Sequence, residues 1–187
     1  MFRKLCNAIL FKWKGWTEEV TVPHREKCII AVAPHTSNWD FIIGELYYGT
    51  KGRHAQFLMK KDWFRWPLGW LFRRLGGIPV DRSRKGSLTD QLAEIAKASD
   101  HFELAVTPEG TRKRVTTWKR GFYYIAKKAD LPIQLFAIDY KRKRIVCTAE
   151  LQPTDDFEAD WKFIMDYYAK FADFGKHENS FAIDGEE

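Results

Sequence analysis

Short apolar runs alternate with amphipathic helical patterns along this chain, and that alternation predicts an α/β fold. The expected form is a single domain in which a mixed, mostly parallel sheet is flanked by helices, with an amphipathic helix at the N-terminus. Two further observations support one domain. The chain has 187 residues, enough to bury roughly 70% of its unfolded surface. No internal repeat, low-complexity tract or linker divides it.

The elements follow in order. Phe2, Leu5, Cys6, Ile9, Leu10, Trp13 and Trp16 recur at helical spacing, with Arg3, Lys4, Asn7, Lys12 and Lys14 mostly on the other side. Residues 1–20 therefore read as an amphipathic basic helix. The pattern fits both a helix packed on the domain and a membrane-surface anchor lying among lipid headgroups. Cys28 to Ala33 reads as a buried strand ended by Pro34, after which His35-Thr-Ser-Asn is a loop before a helix of about ten residues. Further apolar runs at Gln56 to Met59, Ile78 to Val80, Phe102 to Thr107, Pro132 to Tyr140 and Ile145 to Ala149 read as strands. Helical patterns cover Leu88 to Ala96, opened by Ser87 with Asp90 at the capping position, then Trp118 to Ala129, then Phe157 to Phe171 after Thr154. The domain body is residues 21–175, and residues 176–187 read as a loosely held tail.

Net charge is +6, the sequence pI is near 9.2, and aromatic residues make up 16% with eight Trp. Such a balance favours an anionic partner: a phospholipid surface, nucleic acid, or an acidic carrier or cofactor. Residues 51 to 85 carry ten Lys or Arg against two Asp, interleaved with aromatic rings. Trp13, Trp16, Trp63, Trp66 and Trp70, with Arg73 and Arg74, are candidates for a membrane surface, where indole sits at headgroup level and cations meet anionic lipid. Packing between sheet and helix is the alternative for several of these rings, and the same patch suits an acidic carrier or a phosphate-bearing cofactor. The longest stretch free of Asp, Glu, Lys and Arg runs only from Cys28 to Trp39, well short of the roughly 20 residues of a spanning helix. The N-terminus lacks a small-residue cleavage site and is not read as a signal peptide. Cys6, Cys28 and Cys147 are odd in number and form no Cys-x-x-Cys pair, which fits a reducing compartment. The five histidines, at 24, 35, 54, 101 and 177, show no ligand-pair spacing, so no metal is expected.

Three segments carry candidate chemistry. Pro34-His35-Thr36-Ser37-Asn38-Trp39-Asp40 follows a buried strand, where α/β folds place ligands. With Ser37 as N-cap, Asp40 falls in the first helical turn. There it can accept a hydrogen bond from one imidazole nitrogen and leave the other free to take a proton; a helix cap beside a surface histidine is the alternative. Thr107-Pro108-Glu109-Gly110-Thr111-Arg112 again closes an apolar strand, and its glycine and guanidinium suit phosphate as well as an ordinary turn. Gly76-Gly77-Ile78-Pro79-Val80-Asp81-Arg82 offers Arg82 as a second phosphate contact, or as a surface partner of Asp81.

Taken in order with Leu131-Pro-Ile-Gln-Leu-Phe-Ala-Ile138, these segments resemble the four blocks of the glycerolipid acyltransferases, the lysophosphatidic acid acyltransferase family. The likeness spans about residues 28 to 140 and includes Met59 to Gly69 and Lys119-Arg-Gly121. Where family members often have Asn, Ser and Val, this chain has Pro34, Lys113 and Leu131.

The resemblance implies an acyltransferase domain in which His35 is general base and Asp40 its orienting partner. It places Arg82, Glu109, Gly110, Thr111 and Arg112 around the acceptor's phosphate or equivalent headgroup. The expected reaction moves a fatty acyl chain from acyl-CoA or acyl carrier protein, as co-substrate and with no cofactor, to a hydroxyl of a lysophospholipid such as lysophosphatidic acid. Such a protein would sit peripherally on the cytoplasmic face of an anionic membrane. Acceptors such as an N-acyl amino acid lipid, and a fold that only binds lipid, are rival readings. A nucleic-acid-binding module is another, but it gives His35, Asp40 and the Glu-Gly-Thr-Arg segment no role, so nucleic acid is not an expected partner. Cys28, with no adjacent base, reads as core rather than nucleophile.

Overall fold

Seven strands alternate with helices in the computed structural model, which describes residues 2–65, 68–74, 76–80, 88–177 and 180–185. Strands β1 (Thr17–Val20), β2 (Lys27–Val32), β3 (Gln56–Lys60), β4 (Gly77–Val80), β5 (Phe102–Val106), β6 (Ile133–Asp139) and β7 (Arg144–Leu151) form one sheet in the order β1-β7-β6-β2-β5-β3-β4. Five neighbouring strands run parallel; β6 and β7 are antiparallel, and β1 lies parallel to β7. This is the expected mixed, mostly parallel sheet. The helices are α1 (Phe2–Asn7), α2 (Trp39–Lys51), α3 (Leu68–Arg74), α4 (Leu88–Ala98), α5 (Gly121–Ala129) and α6 (Phe157–Ala169).

Strand periodicity divides the interior in two. Cys28 and Ile30 of β2 share a core with Ile43, Tyr47 and Tyr48 of α2 and with Leu10 and Trp16 from the N-terminal segment. Ile29 and Ala31 join Leu92, Phe122, Tyr123, Trp161, Ile164 and Tyr168 of α4, α5 and α6. Strand β6 is buried along its whole length, as a central strand covered on both faces must be. Cys28 is fully buried, and burial pushes its thiol well above the ordinary range, as befits a core residue.

Three segments depart from the sequence-based expectation. The helix predicted over residues 1–20 is shorter: α1 continues into a π-helical turn, Ala8–Trp13, and then stops. Gly15 ends it by adopting a left-handed backbone (φ +69°), and Thr17–Val20 becomes edge strand β1, registered by an Arg144–Glu19 ion pair of 2.6 Å. Helix α1 packs on α2 so closely that a Cβ on Gly49 would lie 2.6 Å from Cys6 Sγ. One face of α1 is thus committed to the domain, while Phe2, Leu5 and Trp13 stay exposed.

Residues 180–185 correct the loosely held tail of 176–187. Phe181 and Ala182 are buried, and Asp184 accepts hydrogen bonds from Trp118 N (2.6 Å) and Trp161 Nε1 (3.0 Å) while pairing with Arg120 at 3.1 Å. The Asp184 carboxylate anchors this segment. Finally, α2 is capped at Asn38 rather than Ser37, whose hydroxyl instead accepts the Trp39 N–H at 3.2 Å. The predicted Ser87 cap lies outside the described residues.

Candidate active site

Pro34 ends β2 and turns the chain so that His35, Thr36 and Ser37 arch over the first turn of α2. Asp40, in that turn and only 4% exposed, faces back into the arch. Its Oδ2 accepts hydrogen bonds from the backbone N–H groups of Thr36 and Ser37, each at 3.0 Å, and from His35 Nδ1 at 2.9 Å. Because a carboxylate only accepts, Nδ1 carries the proton. His35 Nε2 has no hydrogen-bond partner among the described residues, so an imidazole held this way presents a free basic nitrogen. The other oxygen, Oδ1, accepts the hydroxyl of Tyr140, one residue past β6. Sequence reasoning missed Tyr140; its only signal was its place at the end of the apolar run Pro132 to Tyr140.

The Glu109–Arg112 segment meets this arch from the end of β5. Glu109 is corrected: it faces the backbone beneath His35 rather than a headgroup. It is 4% exposed, and its Oε2 accepts the His35 N–H at 2.6 Å. Its Oε1 is buried and without a hydrogen-bond partner among the described residues. Burial raises its pKa to about 8, opposed by the His35 N–H and reinforced by the negative Asp40. Gly110 adopts φ +66°, and the Lys119 stem crosses it so tightly that Cε would lie 2.5 Å from a Cβ there. Thr111 Oγ1 accepts the Lys113 N–H at 3.3 Å. The exposed Arg112 donates to the Asn38 side-chain oxygen, bringing its guanidinium to the His35 loop. Arg82 lies outside the described residues.

The raised Glu109 pKa has a stability consequence. The folded protein holds this proton up to about pH 8, whereas the unfolded chain releases it near pH 4.3. Stability from this group is therefore present at low pH, lost as pH rises across that window, and level above it. We predict that Glu109→Gln, which mimics the protonated acid, melts progressively higher than the parent from pH 5 to 8, by on the order of 5 °C at pH 8. Thermal melts across this range that stay parallel for the two proteins would contradict the assignment.

His35, Asn38, Asp40 and Thr107 stand at one side of a cavity of about 480 Å³. It runs between α2 and the sheet, and its walls are mainly apolar: Ile30, Val32, Ile43, Phe57, Phe136 and Ile138 among others. Glu45 is the carboxylate further along the wall, with His54 Nδ1 at 3.7 Å; burial raises its pKa and His54 lowers it. Among the described residues no cluster of His, Cys, Asp and Glu is arranged to hold a metal ion.

The residues expected at a membrane surface divide. Trp13 is 83% and Trp70 67% exposed. Arg73 and Arg74 are exposed too, their guanidinium groups 5.3 Å from the Phe64 and 5.7 Å from the Trp70 ring centroids. Trp16 is corrected: it is 8% exposed and packs edge-on against Tyr140 at 5.5 Å, because the strand at Thr17 pulls it inward. Trp66 and the side chain of Trp63 lie outside the described residues. Trp39, Phe41 and Ile42 at the start of α2 are exposed apolar residues that periodicity had not singled out.

Fold and site together define an α/β protein in which a histidine, paired with a buried aspartate, borders an apolar cavity. The chain belongs to the Acyltransferase family, whose model matches residues 17–139. It is 32% identical over 114 residues to the 1-acyl-sn-glycerol-3-phosphate acyltransferase of Streptococcus pneumoniae (strain ATCC BAA-255 / R6), a match covering 60% of this chain and 42% of that protein. The matched region thus spans about two fifths of that relative's length. The fold is similar to the crystal structure of the 1-acyl-sn-glycerophosphate (LPA) acyltransferase PlsC of Thermotoga maritima, with a TM-score of 0.62 and 19% identity over 90% of this chain and 76% of that one.

Proposed function

We propose that this protein transfers a fatty acyl chain from an acyl thioester, of coenzyme A or acyl carrier protein, to a hydroxyl of a lysophospholipid such as lysophosphatidic acid. One observation carries the reading: an oriented imidazole with a free nitrogen at the side of an apolar cavity of about 480 Å³, a volume in the range of small-molecule sites. His35 Nε2 takes the hydroxyl proton as the oxygen attacks the thioester carbonyl. The tetrahedral intermediate then collapses, breaking the carbon–sulfur bond, and the leaving thiolate recovers the proton. A thioester is already activated, so no enzyme nucleophile is needed, and general-base catalysis supplies roughly 10²- to 10⁴-fold. Much of the remainder comes from holding the partners together, worth about 7 to 11 kcal/mol. Arg112 grips the acceptor phosphate, with Arg82 assigned the same task by family resemblance.

The acyl chain occupies the cavity, and Gly44 tests this. It lines the wall, and a Cβ placed on it meets nothing within 4 Å. Gly44→Phe projects a ring into that space without harm to the helix. In a thiol-release assay with lysophosphatidate, the parent should transfer long chains. The variant should lose about tenfold in kcat/KM for long over short acyl donors. Thiol release without a diacylated product in the parent would remove the proposed function, and an unchanged chain preference would remove the cavity assignment.

The protein works as a peripheral protein on the cytoplasmic face of an anionic membrane, through Trp13, Trp70, Arg73 and Arg74. No helix of the described residues is long and apolar enough to cross a bilayer. Flotation with liposomes should require anionic lipid and weaken with salt; binding indifferent to both would refute this placement.

A further inference from the structure

We propose that Tyr140 is a positioning residue for the His35–Asp40 pair and that Trp16 holds it in place, so that the N-terminal segment is mechanically joined to the general base. This rests on the reading of His35 as that base. Among the described residues, four groups donate hydrogen bonds to the Asp40 carboxylate: His35 Nδ1 and two backbone N–H groups on Oδ2, and the Tyr140 hydroxyl on Oδ1. The backbone donors set where the carboxylate sits. The phenol stops it rotating about its own axis, which would carry Oδ2 away from the imidazole.

Tyr140 is itself fixed from two sides. Its backbone N–H donates to Phe174 O at 2.9 Å, and Trp16 meets its ring edge-on with an interplanar angle of 84°. Trp16 in turn donates its backbone N–H to Leu10 O at 3.1 Å, within the π-helical turn of the N-terminal segment. A line of direct contacts therefore runs from that segment through Trp16, Tyr140 and Asp40 to His35. Burial and the neighbouring Asp40 hold the phenol well above its ordinary pKa, so it stays a donor at every working pH. The other charged groups facing the pair act at one remove. Glu109 holds the His35 N–H, Arg112 binds Asn38, and the Lys176 ammonium lies 5.1 Å from the Trp39 ring centroid. None of them hydrogen-bonds Asp40.

The phenol also withdraws charge from the carboxylate. Without it, Asp40 favours the imidazolium more strongly, and His35 gives up its proton at higher pH. The test is Tyr140→Phe, read by NMR titration of the His35 ring in the ligand-free protein, with the resonance assigned against His35→Gln, and by kcat and KM across pH. We expect the imidazole midpoint and the acidic limb of kcat to rise together by about half a pH unit. Near-neutral kcat should fall about tenfold, with both KM values within about twofold. Trp16→Leu keeps the phenol but removes its support, and should move the midpoint in the same direction by less; it also carries the test if Tyr140→Phe fails to fold. A lowered melting temperature with the midpoint unmoved in the folded variants would overturn the proposal, whatever the parent's activity. A shifted midpoint in a protein that transfers no acyl group would leave this positioning intact and refute the proposed function instead.

Discussion

His35→Ala is expected to lower acyl transfer by about 10²- to 10⁴-fold while leaving the protein folded. Both halves of that expectation come from the surroundings of the ring. The imidazole is part-exposed, and among the described residues its side-chain hydrogen bond is the one to Asp40, so its loss opens no sealed core cavity. Asp40 keeps three donors in Thr36 N, Ser37 N and Tyr140, and is not left as an unsatisfied buried charge. The variant should therefore melt within a few degrees of the parent, about 2 to 4 °C for each kcal/mol lost. Thiol release from acyl-CoA or acyl carrier protein measures the rate. Lipid mass spectrometry of cells carrying either form identifies the acceptor, because the lipid that gains a chain does so only with the parent. A His35→Ala protein with near-native turnover would end the mechanism.

Asp40→Asn should be almost as damaging, by about 10³-fold or more in kcat, and should also cost stability. The amide has one acceptor oxygen where the carboxylate has two. To satisfy the three donors on Oδ2 it must place its NH₂ against Tyr140, reversing that hydroxyl from donor to acceptor. The geometry survives in outline, but the negative charge that, in the proposed mechanism, stabilises the imidazolium during proton transfer is gone. We expect a loss of about 1 to 3 kcal/mol in chemical unfolding with little change in KM. In the proposed mechanism His35 and Asp40 act as one unit, so the double variant should be no slower than the slower single one. Independent, additive losses would show that the pair does not work together.

Much of the fold was legible because its signals are local. Cys28 to Ala33, Phe102 to Thr107 and Pro132 to Tyr140 are apolar runs of strand length, and each became a strand within a residue or two of its expected ends. The contact between His35 and Asp40 was legible as well, since they lie five positions apart and the loop before α2 curls back to close the gap. What escaped was long-range. Thr17–Val20 carries two glutamates and no buried residue, so its strand character comes from pairing with β7, which no local pattern encodes. Trp16 and Trp13 look alike in an amphipathic helix, yet the strand that follows buries one and leaves the other in solvent. Glu109 was expected beside the acceptor's headgroup, because the backbone N–H that draws it inward belongs to His35, 74 positions away.

The strap at residues 174–176 sets an order of events during synthesis. Gly175 lies against Thr36, where a Cβ would come within 2.7 Å of Thr36 Cγ2, and the Lys176 N–H bonds Thr36 Oγ1 at 2.8 Å. The loop bearing His35 emerges from the ribosome early, but its last brace arrives some 140 residues later. Non-local contacts of this kind form late, after the intervening loop has been closed. A nascent chain halted before Gly175 would thus carry its histidine and aspartate already made, yet lack the partner that clamps the arch between them.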